Sequence, residues 1–266
     1  MPDRPLVMGV LNVTPDSFSD GGLFLDTDAA VAHGLEMIAE GADVIDVGGA
    51  STRPGAVAPS PDKEMARVVP VITALAGAGR TRVSIDTMVP EVARAAVEAG
   101  ADLINDVSAS LWPVAAETGV GWVCMHMQGD PKTMQLEPHY EDVVAEVTDF
   151  LVARAQTARA AGVGEVWIDP GIGFGKTVAH NVALLRALDE FTQGNCPVLV
   201  GLSRKSFLGV LAPDQDGSAP AADDRLEASL AGAVWAITKG VGMVRVHDVR
   251  ATVAAVRIVC DVVAGA

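Results

Sequence analysis

The sequence has few aromatic, cysteine or basic residues and no long apolar segment. Aromatic residues make up 4% of the 266 residues, and 19 Lys and Arg stand against 34 Asp and Glu, for a formal net charge of −15 at pH 7. Such an acidic chain disfavours nonspecific binding to nucleic acid or to an anionic membrane, so an anionic ligand would need a local basic cluster. The first residues have no signal-peptide pattern, and no segment reaches membrane-span length without a charge or a turn. We therefore expect a cytoplasmic protein that binds neither nucleic acid nor membranes.

The three cysteines, Cys124, Cys196 and Cys260, are far apart and share no spacing that is typical of a metal site. Cys124 and Cys260 lie within apolar runs, which favours buried, unreactive thiols over catalytic ones. His126 is predicted to be a hydrogen-bonded side chain rather than a metal ligand, because no second histidine is spaced to join it.

Half of the residues are hydrophobic, and they are concentrated in short β-branched runs that end in polar residues and Gly or Pro. Continuous rather than alternating apolar runs are expected for strands that are covered on both faces. The runs predict eight strands, at 6–12, 44–49, 83–87, 103–107, 122–126, 166–171, 197–203 and 243–248.

Helical stretches separate most of these runs. Thr27 or Asp28 is predicted to cap the first helix, and Pro90 suits a first-turn position. The predicted helices cover 27–40, 62–76, 90–100, 141–161, 177–191, 224–238 and 248–263, with a reduced element in 108–121. Eight strands with intervening helices predict an α/β protein, a (β/α)₈ TIM barrel formed as a single domain by residues 1–266. Two long loops rich in Gly and Pro, at 13–22 and 50–61, are predicted to be mobile lids.

In a (β/α)₈ barrel the catalytic groups lie at the carboxyl ends of the strands. In this sequence those ends carry Asn12, Asp46, Asp86, Asn105 with Asp106, His126, Asp169, Ser203 to Lys205, and Arg245 with His247. Residues two apart on a strand share a face, so Arg245 and His247 are predicted to meet one anionic group together. The alternative, that an acidic side chain caps the following helix or binds loop backbone, is favoured for Asp46, Asp106 and Asp248.

The stretch DPGIGFGKT (169–177) raises the possibility of a phosphate-binding P-loop. That motif needs a glycine five residues before its final Gly-Lys pair, and this position is Pro170, which has neither an N–H nor a free φ angle. The stretch is therefore not a P-loop. Lys176 is instead interpreted as a group that anchors the loop or faces solvent.

Taken together, the strand ends and long loops resemble the dihydropteroate synthase family. The matching segments are GVLNVTPDSFSDGG (9–22), DVGGASTRPGA (46–56), SIDT (84–87), IND (104–106), MHMQG (125–129), PKTMQ (131–135), DPGIGFGK (169–176), SRKSFLG (203–209) and RVHDV (245–249). They occur in the family's order over nearly the whole chain. Two departures are Ala50, where the family often has glutamate, and a shorter segment after Asp106.

The resemblance implies a transferase of folate biosynthesis that joins p-aminobenzoate to the methylene carbon of dihydropterin diphosphate and releases diphosphate. It implies Mg²⁺ held by Asn12, sulfonamides as inhibitors and a homodimer. The implied pterin ligands are Asp86, Asn105, Met125, Asp169 and Lys205. The implied diphosphate ligands are Asn12, Thr52, Arg53, Arg245 and His247. The implied p-aminobenzoate ligands are Phe18, Arg53, Pro54, Phe174, Lys205 and Ser206.

The resemblance also assigns the catalytic group. Its implied members are Asn12, Asp20, Arg53, Lys205, Arg245 and His247, with Asp20 either stabilising a carbocation or ordering the first loop. Two other functions stay open at this point. One is a corrinoid-linked methyltetrahydrofolate methyltransferase, and the other is an inactive pterin-binding homologue.

Overall fold

The computed structural model describes residues 4–14, 22–50, 58–79 and 81–264 of the chain. Within these ranges eight parallel strands form one sheet. The strands are β1 (Leu6–Asn12), β2 (Val44–Gly48), β3 (Arg82–Asp86), β4 (Leu103–Asp106), β5 (Gly121–Met125), β6 (Val166–Asp169), β7 (Leu199–Gly201) and β8 (Met243–Val246). Their order in the sheet is β6-β5-β4-β3-β2-β1-β8-β7. All eight predicted strands are confirmed, with only their ends shifted.

The sheet closes on itself between β6 and β7. An isolated parallel bridge pairs Ile168 with Val198, and the Ile168 amide donates to the Pro197 carbonyl at 3.0 Å. Every other neighbouring pair of strands is joined by three to five residue pairs. This closing contact, called the seam below, completes the predicted (β/α)₈ barrel but is its least extensively paired junction.

Helices pack around the outside of the barrel. They are α1 (Gly22–Glu40), α2 (Pro61–Ala76), α3 (Pro90–Glu98), α4 (Trp112–Thr118), α5 (Val143–Ala160), α6 (Val178–Arg186), α7 (Leu188–Thr192), α8 (Ser206–Leu211), α9 (Leu226–Thr238) and α10 (Val249–Ala264), with a 3₁₀ turn at Ala222–Asp224. Pro61 and Pro90 occupy the first turns of their helices, where the missing N–H has no intrahelical partner to lose. In the ranges that the structure covers, every helix is too short or too polar to cross a membrane.

Two helix predictions need correction, and one further helix was not predicted. The first helix begins at Gly22, so Thr27 and Asp28 lie inside it and do not cap it. A capping side chain marks a helix start only where its backbone leaves the helical region, and nothing local showed that here. The predicted helix 177–191 is divided at Ala187 into α6 and α7, and α8 was not predicted. The short element in 108–121 is confirmed as the seven-residue helix α4.

The apolar interior has two parts. A large cluster packs the outer face of the strands against the helices. A smaller cluster fills the barrel interior near the amino ends of the strands, and its members are Met8, Val44, Leu103, Val123, Trp167, Leu199 and Met243. Because these side chains fill that end, polar groups inside the barrel are confined to the opposite end, called the mouth below.

Candidate functional site

Polar side chains from most of the strands meet at the mouth. They are Asn12 on β1, Asp46 on β2, Asp86 on β3, Asn105 on β4, Asp169 on β6 and Arg245 on β8, with Lys205 and His247 in the loops that follow β7 and β8. Hydrogen bonds and charge interactions connect most of them directly, as the following paragraphs describe. Two of them, Asp46 and Arg245, are hydrogen-bonded although they lie 199 positions apart in sequence.

Arg245 lies at the centre of a buried ionic network. Its Nε donates to Asp46 Oδ2 at 2.6 Å and its second terminal nitrogen donates to Asp86 Oδ2 at 2.8 Å. Asn105 donates from Nδ2 to the same Asp46 oxygen at 2.8 Å. The prediction that Asp46 caps a helix or binds loop backbone is therefore wrong, because its side chain points into the barrel. Asp46 was missed as a site residue because both of its partners are distant in sequence.

The two other acidic residues with a predicted capping or loop role differ from each other. Asp106 accepts hydrogen bonds from the backbone amides of Ser110 at 2.7 Å and Leu111 at 2.6 Å, which confirms the prediction for that residue. The side chain of Asp248 instead forms an ion pair with Arg204 at 2.9 Å. That pair joins the loop after β7 to the residue that follows His247.

The environment of Asp86 raises its pKa well above the ordinary value. Burial raises its pKa to about 7, although Arg245 acts in the opposite direction, and the nearby charges of Asp46 and Glu64 raise it further. Arg245 donates to its Oδ2, and the raised pKa makes protonation of this carboxyl group less costly than that of an exposed one. Such a group suits a heterocycle whose edge carries both donors and acceptors.

Asp169 and Lys205 form the charged part of the mouth beside the seam. Burial raises the pKa of Asp169, while Lys205 is the strongest influence that lowers it. Burial lowers the pKa of Lys205 to about 8, and Asp169 opposes that shift. The Asp169 carboxylate also accepts a hydrogen bond from the Gly171 amide at 2.7 Å, which fixes one of its oxygens.

The glycine loop, residues 171–175, turns closely against the end of β5. Gly171, Gly173 and Gly175 have φ angles of +64°, +84° and +61°, a region that favours glycine. A Cβ on Gly171 would lie 1.8 Å from the His126 carbonyl oxygen, so only glycine fits there. This geometry is a tight packing turn and not a phosphate-binding loop, as predicted.

Lys176 follows this loop and is buried, with 3% of its surface exposed. Its Nζ lies 2.9 Å from His126 Nδ1 and 3.0 Å from the Phe174 carbonyl oxygen. The loop-anchoring interpretation of Lys176 is confirmed, and the solvent-facing alternative is wrong. The same contact confirms His126 as a hydrogen-bonded residue of the mouth.

One wall of the mouth combines aromatic and cationic groups. The Lys205 ammonium lies 4.7 Å from the centre of the Phe174 ring and also donates to the Ile172 carbonyl. Met125, at the end of β5, is buried and pairs in register with Asp169. Ser206 is the exposed first residue of α8 and follows Lys205 directly. An aromatic ring of a ligand would thus meet Phe174 with a cation beside it.

Asn12 ends β1, and His247 follows the neighbouring strand β8. His247 Nδ1 lies 3.0 Å from the Ser203 hydroxyl, a partner that the sequence did not indicate. Asn12 and His247 line a cavity of about 690 Å³ that extends outwards between α1 and α10.

The side-chain oxygen of Asn12 is a donor of the kind that Mg²⁺ prefers, whereas Asp86 Oδ2 already accepts a hydrogen bond from Arg245 at 2.8 Å. Among the residues that the structure describes, no three His, Cys, Asp or Glu side chains are grouped closely enough to hold a metal ion. Mg²⁺ is usually bound by one or two protein oxygens together with substrate phosphates and water, so the donors present fit an ion of that kind.

Five predicted site residues lie outside the described residues. They are Phe18, Asp20, Thr52, Arg53 and Pro54. Their assignments stay predictions. The cysteine prediction is confirmed for Cys124 and Cys196, which are buried, whereas Cys260 is only half-buried.

The chain is similar to known proteins over nearly its whole length. A model of the family described as "Pterin binding enzyme" matches residues 8–247. The dihydropteroate synthase of Mycobacterium leprae is 51% identical over 261 residues, which cover 95% of this chain and 92% of that protein. A structure of Xanthomonas albilineans dihydropteroate synthase with 4-aminobenzoic acid superposes with a TM-score of 0.91 at 47% identity, covering 98% of this chain and 94% of that one.

Two further structures resemble the chain over almost its full length. The Xanthomonas albilineans enzyme with 7,8-dihydropteroate has a TM-score of 0.86 at 45% identity and covers 98% of this chain and 95% of that one. Yersinia pestis dihydropteroate synthase with a sulfonamide drug has a TM-score of 0.90 at 43% identity, with coverage of 99% and 95%. The chain therefore belongs to the pterin-binding enzymes, within the dihydropteroate synthases, and is a transferase.

Proposed function

We propose that the protein condenses p-aminobenzoate with dihydropterin diphosphate to give 7,8-dihydropteroate and diphosphate. The observation that carries the proposal is the convergence of Asp86, Asn105, Asp169 and Lys205 at one end of the barrel. Two of the similar structures hold 4-aminobenzoic acid and 7,8-dihydropteroate, which are a substrate and a product of this reaction.

The pterin is held by groups that match its polar edges. The ring offers two adjacent N–H donors, and the Asp169 carboxylate accepts from both in a bidentate, charge-assisted contact. Asn105 gives its Nδ2 to Asp46 and so presents its Oδ1 as an acceptor. Asp86 and Lys205 form hydrogen bonds with the remaining ring nitrogens and the carbonyl, and Met125 packs against the ring as an apolar wall.

The diphosphate lies on the side of Asn12 and His247. Arg245 contributes less free positive charge than its sequence position indicated, because two carboxylates already bind it. Thr52 and Arg53 are proposed to bind the diphosphate as well. Mg²⁺, when bound with Asn12, supplies positive charge that stabilises the departing diphosphate.

The reaction begins when the bond between the methylene carbon and the diphosphate oxygen breaks. The diphosphate leaves with the electron pair, and the electron-rich pterin delocalises the resulting carbocation. The lone pair of the p-aminobenzoate nitrogen then forms the new C–N bond, and the nitrogen loses one proton to the diphosphate or to water. No protein nucleophile is needed, so the role of the site is to position and to stabilise charge.

p-Aminobenzoate is proposed to bind between Phe174, Lys205 and Ser206, with Phe18, Arg53 and Pro54 of the two long loops completing its pocket. Sulfonamides are proposed to compete for the same space, in line with the drug complex of the Yersinia pestis enzyme.

A homodimer is proposed to form through the last helices. Its support is the exposed apolar surface of Trp235 and Ile258 on α9 and α10. The cytoplasmic location stays a prediction.

The proposal is tested by measuring dihydropteroate formation from the two substrates with Mg²⁺, with Asp169→Asn as the decisive variant. Asp169→Asn replaces one acceptor oxygen by a donor and removes the charge, so pterin affinity should fall by about 100-fold or more. Asp149→Asn, at an exposed position of α5, is the matched control and should behave like the wild type.

The outcomes separate the rival functions. Pterin binding without turnover in the wild type would favour an inactive homologue. Methyl transfer from methyltetrahydrofolate to a corrinoid would favour the methyltransferase. Normal pterin binding by Asp169→Asn would refute the assigned orientation of the ring.

A further inference from the structure

Lys176 is a buried amine that the proposed reaction does not use. Besides its contacts with His126 Nδ1 and the Phe174 carbonyl, its Nζ lies 3.4 Å from the His126 carbonyl oxygen. It also lies 5.9 Å from the centre of the Tyr140 ring. A protonated lysine has three N–H donors, and three acceptors surround this one.

The contacts of Lys176 connect two parts of the mouth. His126 directly follows β5 and its wall residue Met125, whereas Phe174 belongs to the glycine loop after β6. The Phe174 ring lies beside the Lys205 ammonium, and Lys205 donates to the carbonyl of Ile172 in the same loop. The position of Lys205 therefore depends on how this loop is held.

Other side chains hold other parts of the loop. The Gly173 amide donates to Asn181 Oδ1 at 2.7 Å, Gln135 donates to the Gly173 carbonyl at 2.6 Å, and Tyr140 donates to the Gly175 carbonyl at 2.8 Å. These bonds attach the loop to α6 and to the segment that precedes α5. Lys176 adds an attachment of the Phe174 peptide to the end of β5.

An amine at this position is costly. Burial lowers the pKa of Lys176 to about 7, and the charge of Lys205 lowers it further, while Asp169 opposes the change. A methionine has nearly the same length and would fill the space without burying a charge. Packing alone therefore does not account for a lysine here.

We infer that Lys176 is a positioning residue. It holds the Phe174 carbonyl against the end of β5 and thereby places the Phe174 ring and the Lys205 ammonium for p-aminobenzoate. The inference deepens the proposed function and rests on it for the identity of that ligand. The pterin depends less on Lys176, because three of its four polar ligands, Asp86, Asn105 and Asp169, lie on the strands themselves, and Lys205 alone contacts the glycine loop through its ammonium.

Two substitutions separate positioning from packing. Lys176→Met keeps the apolar length and removes the donors, whereas Lys176→Gln keeps an N–H donor that is one bond shorter. We expect Lys176→Met to raise the KM for p-aminobenzoate by about 10-fold, the usual scale for losing a hydrogen bond from a charged group. Lys176→Gln should recover part of this loss, and the Kd of dihydropterin diphosphate should change by less than about 3-fold in both.

Lys132→Met, an exposed lysine in the loop after β5, is the matched control and should leave both constants unchanged. Thermal unfolding checks that each variant is folded, and Lys176→Gln carries the comparison if Lys176→Met is insoluble. Equal losses for both substrates, no loss at all, or better function in the Met than in the Gln variant would each overturn the inference.

Hydrogen exchange of residues 171–175 gives a readout that needs no turnover. Faster exchange in Lys176→Met than in Lys132→Met supports the inference even if the wild type forms no dihydropteroate, a result that would count against the proposed function alone. Unchanged exchange would overturn the inference even if the wild type is fully active.

Discussion

Replacing Gly171 by alanine should be far more damaging than replacing Gly119, another glycine with a positive φ. The new Cβ would lie 1.8 Å from the His126 carbonyl oxygen, whereas a carbon and an oxygen need about 3.3 Å. The loop must therefore move by about 1.5 Å, and the hydrogen bond from the Gly171 amide to Asp169 is lost. Left-handed strain, overlap and the lost bond together cost about 4 kcal/mol, a large part of the ~5–15 kcal/mol that stabilises a typical domain.

The Gly119→Ala variant measures the cost of left-handed backbone strain alone, without steric overlap. Gly119 ends α4 at a φ of +75°, but a Cβ there would have no atom within 4 Å. Its cost should be about 1 kcal/mol, since the stiffer unfolded chain offsets part of the strain. Urea unfolding followed by circular dichroism gives both free energies, and titration calorimetry gives pterin affinity. The reasoning is refuted if Gly171→Ala costs no more than Gly119→Ala and keeps normal pterin affinity.

Two further predictions concern the p-aminobenzoate side of the mouth. Phe18→Ala should raise the KM for p-aminobenzoate by about 10-fold and leave the Kd of the pterin nearly unchanged, because a lost aromatic contact costs about 1–2 kcal/mol; an equal loss for both substrates in steady-state assays would contradict the assignment. The activity should also fall as pH rises through about 8, because the Lys205 ammonium, with its pKa lowered to about 8, is present below that pH and deprotonates above it. A pH profile of kcat/KM tests this, and a flat profile from pH 7 to 9.5 would show that the ammonium is not required.

The strands were predictable because each is a short apolar run that ends in polar residues, and a parallel barrel buries both faces of such a run. The start of α1 was not, because Thr27 and Asp28 carry capping side chains inside a helix. The seven-residue α4 was foreseen from the shortness of its segment.

One rule of the barrel fold was sufficient to assign the residues at the strand ends to the site. Asp169 and Asn105 could be assigned to the mouth because carboxyl ends of parallel strands lie together. The partners of Asp46 and the burial of Lys176 could not be assigned, since both depend on contacts between segments that no local pattern relates. The reduced free charge of Arg245 has the same origin, because its two carboxylate partners come from β2 and β3.

The sparse pairing at the seam gives the ligand a mechanical role. Asp169 ends β6 and Lys205 follows β7, so a molecule that binds both groups spans the junction where the barrel wall has the fewest backbone bonds. A substrate bound to both groups then links β6 to β7 at the most sparsely paired junction of the barrel. Binding of substrate to Asp169 and Lys205 therefore also opposes the separation of β6 from β7.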